Sequence, residues 1–301
     1  MNKKDIKKNQ KFLKVETSQA NNFVNKLTIN KRLSLIIPFI LITILLVVAP
    51  LIVIIINIFN PSSGTVQDNW GIMTGTIWNK IGKSIWISLV STIIILVISF
   101  PFAYALAQSK NKVFQTLTIL IVTAPIWINI LIKLIGLKSL FDIMNHELNS
   151  TYGDIFTIIG LVYLFMPLMI LPIYSALQTL PKNLINASKD LGRSNIYTFF
   201  MVTIPWCKTT IISGITLVLL PCFTTVTVTA FLNNSNDGSM IGGVIMGQGE
   251  SGLSSPIALA RTSVLVLIVS GFTLLLYMSI VYLPKIVWFI KRKWEQRHYE
   301  K

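Results

Sequence analysis

The residues whose types and spacing suggest a task lie between two long apolar stretches, at positions 179–208, which we call the coupling loop. Apolar side chains recur there at helical spacing over 184–191, and Gly192 is placed to end such a helix in a left-handed cap. A second amphipathic stretch follows and stops at Pro205. Two short helices joined at a glycine could dock another protein, and could equally lie on lipid headgroups.

Chemistry on nucleotides or metals is not indicated for this chain. It has no phosphate loop of the form GxxxxGK[ST], so we expect ATP and Mg²⁺ to bind to partner subunits, with no cofactor or metal bound here. The apolar stretches hold no buried carboxylate, a group that ion-coupled carriers usually need. We therefore expect a transport subunit without enzymatic activity, with a secondary carrier as the less favoured alternative.

Six uncharged apolar stretches must position the coupling loop. Each is about as long as the roughly 20 residues that a helix needs to cross a bilayer. Hydrophobic residues make up 53% of the 301 residues and charged residues only 12%, about half the share in soluble proteins. The sequence predicts an all-α polytopic membrane protein and excludes a soluble globular, disordered or disulfide-stabilised chain. The predicted transmembrane helices are 34–59, 84–107, 113–132, 155–178, 209–232 and 262–284.

The basic residues predict which side of the membrane each loop faces. If the N-terminus is cytoplasmic, the inner segments hold 21 of the 26 Lys and Arg residues. Positive charge concentrates on the cytoplasmic side, so we expect both termini there in a plasma-membrane protein. The tails 1–33 and 291–301 are then basic cytoplasmic extensions of a permease domain at 34–290, and the first can contact anionic lipid rather than nucleic acid.

The coupling loop resembles the EAA loop of ABC-importer permeases. That pattern is Glu-Ala-Ala, three residues, Gly, nine residues and an aliphatic-x-aliphatic-Pro ending, and 186–205 matches its spacing without a gap. The segments 99–107, 124–140, 159–177 and 240–248 are similar to the permeases of polyamine (spermidine/putrescine) importers. Two positions depart from the pattern, since Asn186 replaces the glutamate and Ser188 the second alanine. Neither change moves the glycine or the proline, so we expect docking to survive.

The resemblance implies a type I ABC-importer permease fold and a set of partners. These are a dimer of ATP-hydrolysing subunits, a second six-span permease and an extracellular substrate-binding lipoprotein. Another small solute, such as sulfate or molybdate, stays open as the substrate. The glycine-rich outer segment 233–261 would meet the binding protein, roof the pathway or form a flexible loop. The residues expected at the ATPase are Asn186, Ala187, Ser188, Asp190, Gly192 and Pro205.

Candidate pathway residues follow from the charge of a polyamine. The apolar stretches offer no acid to pair with it, whereas aromatic faces attract ammonium groups. The threonine-rich half of the fifth stretch would suit either a watery cavity or contact with other helices. We select Tyr104, Trp127, Tyr163, Phe165 and Thr225, although each could equally be a packing residue.

Overall fold

The structure is a computed structural model that describes residues 36–59, 66–144, 152–233, 240–252 and 255–299. The basic tail predicted at 1–33 lies outside these residues. By its internal contacts the chain separates into two units, 1–59 and 60–301. In the first unit, helix α1 (Ile36–Phe59) includes a π-helical stretch at Ile44–Val48 and matches the first predicted span.

The described part of the second unit consists of helices. In chain order they are α2 (Val66–Trp70), α3 (Gly75–Gln108), α4 (Lys112–Trp127), α5 (Ile130–Met144), α6 (Gly153–Gln178), α7 (Lys182–Asp190), α8 (Asn195–Thr198), a π-helical segment (Phe199–Thr203), α9 (Ile204–Trp206), α10 (Lys208–Thr224), α11 (Thr227–Leu232), α12 (Ile241–Gly252) and α13 (Pro256–Tyr299). Helix α3 begins well before the predicted position 84, and α13 continues beyond the predicted end at 284.

Among the helices that the structure describes, four are long and apolar enough to cross a membrane by themselves. They are α1, α3, α6 and the first 27 residues of α13. Two pairs of bent helices pass the same test jointly, which brings the total to as many as six. Because the described residues form helices and several of these are long and apolar, the prediction of an all-α polytopic membrane protein is confirmed.

The third predicted span is not one straight helix. Helices α4 and α5 meet at 100°, with the break at residues 128–129. The side chain of Asn129 accepts a hydrogen bond from the backbone N–H of Leu131 at 2.8 Å and so caps the start of α5. The Lys133 ammonium donates to the carbonyl of Pro125 at 2.9 Å, in the last turn of α4. Both ends of the break thus have polar partners.

The fifth predicted span is also interrupted. Helix α10 ends at Thr224, and Thr225 is extended, with φ −62° and ψ 137°. Helix α12 approaches this break so closely that a Cβ on Gly242 would lie 2.5 Å from the carbonyl oxygen of Thr224 and 2.6 Å from that of Thr225. The break is therefore held by contact with another helix.

The outer segment 233–261 is not simply a flexible loop, because it contains α12. Ile241 is fully buried, and its backbone N–H donates to the Ser84 hydroxyl of α3 at 2.8 Å. This bond joins α12 to the first third of α3. Helix α12 therefore belongs to the packed body of the second unit.

The core of the second unit is centred on α3 and α6, which share the most extensive helix contact, with α10 against both. Small residues permit this approach, as is common between membrane helices. A Cβ on Gly214 of α10 would lie 2.6 Å from the sulfur of Met169 in α6. A second apolar cluster joins the start of α3 to α10, α12 and α13 through Ile81, Phe223 and Leu265. The coupling loop continues directly from α6 and leads into α10.

Candidate functional site

The first half of the coupling loop is helix α7, and it ends as the sequence predicts. Gly192 has φ +73°, the left-handed conformation that favours glycine. Its N–H donates to the carbonyl of Lys189 at 2.8 Å, and the N–H of Arg193 donates to the carbonyl of Ser188 at 3.2 Å. These two bonds form a Schellman cap, which satisfies carbonyls at the helix end and turns the chain sharply.

A buried pair of hydroxyl groups joins α7 to α8. The Ser188 and Thr198 hydroxyl oxygens lie 2.8 Å apart, and the two residues are only 8% and 1% exposed. The Thr198 hydroxyl also donates to the carbonyl of Ser194 at 3.1 Å. The Ser194 side chain caps α8 by accepting from the N–H of Tyr197. The two halves of the coupling loop are therefore fixed to each other on their inner side.

The exposed face of the coupling loop carries apolar residues. Leu191 is 79% exposed and Ile196 is 72% exposed, although both belong to the apolar faces of the sequence pattern. The inward faces instead carry Ile185 and Ser188 in α7, and Thr198 beyond it. The difference arises because the two helices pair through hydroxyl groups, which a hydrophobic pattern does not detect.

The residues expected at the ATPase fall into two groups. Asn186, Ala187 and Asp190 are exposed on α7, and Gly192 and Pro205 are exposed beyond it. Ser188 faces inward to Thr198, so its hydroxyl is directed away from a protein bound at the exposed face of α7. The second departure from the family pattern thus has an internal partner.

The candidate pathway residues lie in separate elements. Tyr104, near the end of α3, packs edge-on against Phe199 of the coupling loop with ring centres 4.9 Å apart. Trp127 is 87% exposed at the end of α4. Tyr163 and Phe165 are partly exposed on α6, and Phe165 packs against the main core. Thr225 forms the break between α10 and α11.

A polar cluster at the start of α6 was missed by the sequence reading. The Lys83 ammonium of α3 lies 2.8 Å from a carboxylate oxygen of Asp154, and the same oxygen accepts from the Asn233 amide at 3.0 Å. The cluster joins α3, α6 and the residue after α11. Asn233 packs so tightly that a Cβ on Gly153 would collide with its side chain. The three residues are far apart in sequence, so no local motif indicates the cluster.

The two cysteines are free and buried. Cys207 lies just before α10, and burial raises the pKa of its thiol. Among the residues that the structure describes, His, Cys, Asp and Glu form no group that could hold a metal ion.

Known proteins of similar sequence are transport permeases. A homolog of the spermidine/putrescine transport system permease protein PotB from Mycoplasma genitalium is 40% identical, over 89% of this chain and 98% of that protein. Its counterpart in Mycoplasma pneumoniae is 44% identical over 65% of this chain and 71% of its own length. The spermidine/putrescine transport system permease protein PotB of Escherichia coli is 33% identical over 64% of this chain and 74% of its own length.

A solved structure of much lower sequence identity shares the fold. A chain of a bacterial ABC transporter involved in the import of the acidic polysaccharide alginate superposes with a TM-score of 0.67, over 84% of this chain and 94% of its own. The identity is 12%, so this likeness concerns the fold alone. The family model for binding-protein-dependent transport system inner membrane components matches residues 95–286, which include the coupling loop and the core helices α6 and α10. This chain belongs to that family, as a multi-pass permease component of an ABC transporter and not its ATPase.

Proposed function

We propose that this chain forms half of the translocation pathway of an importer for polyamines, spermidine and putrescine. The observation that carries the proposal is the 40% identity over nearly the full length of a permease named for these substrates. Relatives named for spermidine and putrescine favour polyamines over sulfate or molybdate.

The coupling loop is the proposed docking surface for the ATPase. Its capped helix α7 presents Asn186, Ala187 and Asp190 to the outside, next to exposed apolar residues such as Ile196. A rigid helix with an apolar and polar exposed face suits insertion into a groove on a partner. Asn186 in place of the pattern's glutamate gives a neutral contact there. We expect binding to depend on shape and apolar contact more than on charge.

The remaining partners follow from the family. They are a second six-span permease that completes the pathway, a dimer of ATPase subunits that binds ATP and Mg²⁺, and an extracellular binding lipoprotein. The excess of Lys and Arg in the inner segments supports a plasma-membrane subunit with both termini and the coupling loop in the cytoplasm. The boundaries proposed for the permease domain are residues 34–290.

The pathway residues are proposed from chemistry. Aromatic rings attract ammonium groups through their negative faces. Trp127 and Tyr163 expose their rings in this single subunit and are the strongest candidates, followed by Phe165 and Thr225. Tyr104 packs against the coupling loop, which favours a role in packing at that end of α3.

Uptake of labelled spermidine by proteoliposomes that contain the complete complex tests the proposal. We expect uptake that requires ATP, the binding protein and this chain, and that unlabelled putrescine reduces. Uptake without ATP would indicate a secondary carrier. ATP-driven uptake of sulfate that spermidine does not inhibit would show that the importer carries another solute and not polyamines.

A further inference from the structure

Phe199 connects the coupling loop to α3 through a cluster of aromatic rings. Its ring lies edge-on to Tyr104 at 4.9 Å and 77°, and edge-on to Phe100 at 5.3 Å and 79°. Both partners belong to α3 and lie one helical turn apart. Edge-to-face geometry is the favoured arrangement of aromatic pairs, so the contact is specific in direction as well as apolar. Phe199 is thus held against two successive turns of the same helix.

The two α3 residues that hold Phe199 flank a weak point of that helix. Pro101 follows Phe100 directly and has no backbone N–H. The carbonyl of Val97, one turn earlier, therefore lacks the helical hydrogen bond that an ordinary residue would supply. A helix bends more readily at such a position. A displacement of Phe199 would act on α3 where its own hydrogen bonding resists bending least.

On the other side, Phe199 is bonded to α8, which pairs with α7, the proposed docking helix. Its backbone N–H donates to the carbonyls of Asn195 and Ile196, and its carbonyl accepts from Ile204 across the π-helical segment. The preceding residue, Thr198, pairs with Ser188 of α7 within the buried interior of the loop. The coupling loop from α7 to Phe199 is therefore connected by bonds that would make it move as one body.

We propose that Phe199 transmits the movement of the coupling loop to α3, which bends at Pro101 in response. The inference rests on the proposed function, because it presumes that an ATPase moves the loop. Phe199 acts on the pathway through α3 and is a positioning residue. Tyr104 then serves transmission rather than substrate contact.

The experiment measures spermidine imported per ATP hydrolysed by the reconstituted importer. Phe199→Leu and Tyr104→Leu keep an apolar side chain and remove the ring contact. We expect each to lower the ratio by about threefold or more, within the range of measured coupling between touching residues. The double variant should be no worse than the more affected single variant, because both changes break one contact. Phe199→Tyr keeps the ring and should preserve the ratio.

Phe156→Leu is the matched control, since it removes a ring from another aromatic pair, with Phe141 at 4.5 Å. It should leave the ratio unchanged. Pro101→Ala restores the backbone donor and stiffens α3, so it should lower the ratio of spermidine imported to ATP hydrolysed without loss of folding. This variant keeps the test decisive if the leucine variants fail to assemble. An unchanged ratio in Pro101→Ala, or multiplicative effects in the double variant, would overturn the inference. A parent complex that imports no spermidine would instead count against the proposed function.

Discussion

Replacing Gly192 tests the geometry of the coupling loop most sharply. Its φ of +73° is accessible to glycine and costs other L-residues about 1–2 kcal/mol, most for β-branched ones. A Cβ built on Gly192 would meet no atom within 4 Å, so the cost lies in the backbone and not in a clash. A change of about 1–2 kcal/mol lowers the equilibrium constant for the capped loop by about 5- to 30-fold.

The substitutions separate backbone strain from side-chain size. Gly192→Val should relax the cap and break the bonds from Gly192 to Lys189 and from Arg193 to Ser188. Gly192→Ala should have a smaller effect. Gly192→Asn should have the least, because asparagine tolerates the left-handed region better than other residues. The predicted order of coupling loss is Val, then Ala, then Asn.

The assay compares ATP hydrolysis with spermidine uptake by the complete complex in proteoliposomes. We expect the Val variant to assemble and hydrolyse ATP while uptake falls in proportion to the capped fraction. The reasoning is refuted if Val couples as well as the parent, or if Asn is as damaging as Val. In the second case side-chain size at the partner surface would be the cause.

Three further predictions concern helix packing, the ion pair between Lys83 and Asp154, and thiol reactivity. Gly242→Ala should lower stability in detergent by about 1–3 kcal/mol, because the new Cβ meets backbone carbonyls. Gly247→Ala in the same helix has open space around it and should be neutral. Equal thermal unfolding midpoints for the two variants would contradict this packing. Asp154→Asn should lower the free energy of unfolding by at most about 1 kcal/mol, because the ion pair of Asp154 with Lys83 is partly exposed. A larger loss of stability at low salt would show that the pair is stronger than its exposure indicates. Maleimide should label Cys207 slowly at pH 8 and faster as the pH rises, since burial raises the pKa of this thiol and so lowers its thiolate fraction; rapid labelling at pH 8 would show that it is exposed.

Much of the fold could be predicted from hydrophobicity. Charge-free stretches of 20 or more residues have few alternatives to membrane helices, and α1 and α6 match their predicted bounds within two residues. The end of α7 was also predictable, because a left-handed cap favours glycine at one position and Gly192 occupies it. These features depend on local sequence alone.

The breaks within the predicted spans depend on side chains that hydropathy does not weigh. Asn129 caps α5 from within an apolar run, and the break at Thr225 is fixed by the approach of Gly242 from another helix. Neither asparagine nor glycine interrupts a hydrophobic stretch enough to signal a bend. Hydropathy therefore predicts the spans but not the places where their helices break.

The buried contacts of the candidate site could not be predicted from the sequence, for a related reason. The pairing of Ser188 with Thr198, and of Phe199 with Phe100 and Tyr104, joins residues whose patterns are separately unremarkable. Spacing identified the exposed residues of α7, such as Asn186, because the helical period fixes which side chains share a face. The partners on the buried side are set by tertiary packing.

Cysteine crosslinking from the coupling loop tests the central claim most directly. Ala187→Cys places a thiol on the exposed face of α7, and the Cys207→Ser, Cys222→Ser background removes the two native thiols. In membranes that contain the whole complex, we predict that a short bifunctional reagent links position 187 to the ATP-hydrolysing subunit, and that nucleotide changes the yield. Crosslinks that reach only lipid or the second permease, or labelling of position 187 from outside intact cells, would contradict the account.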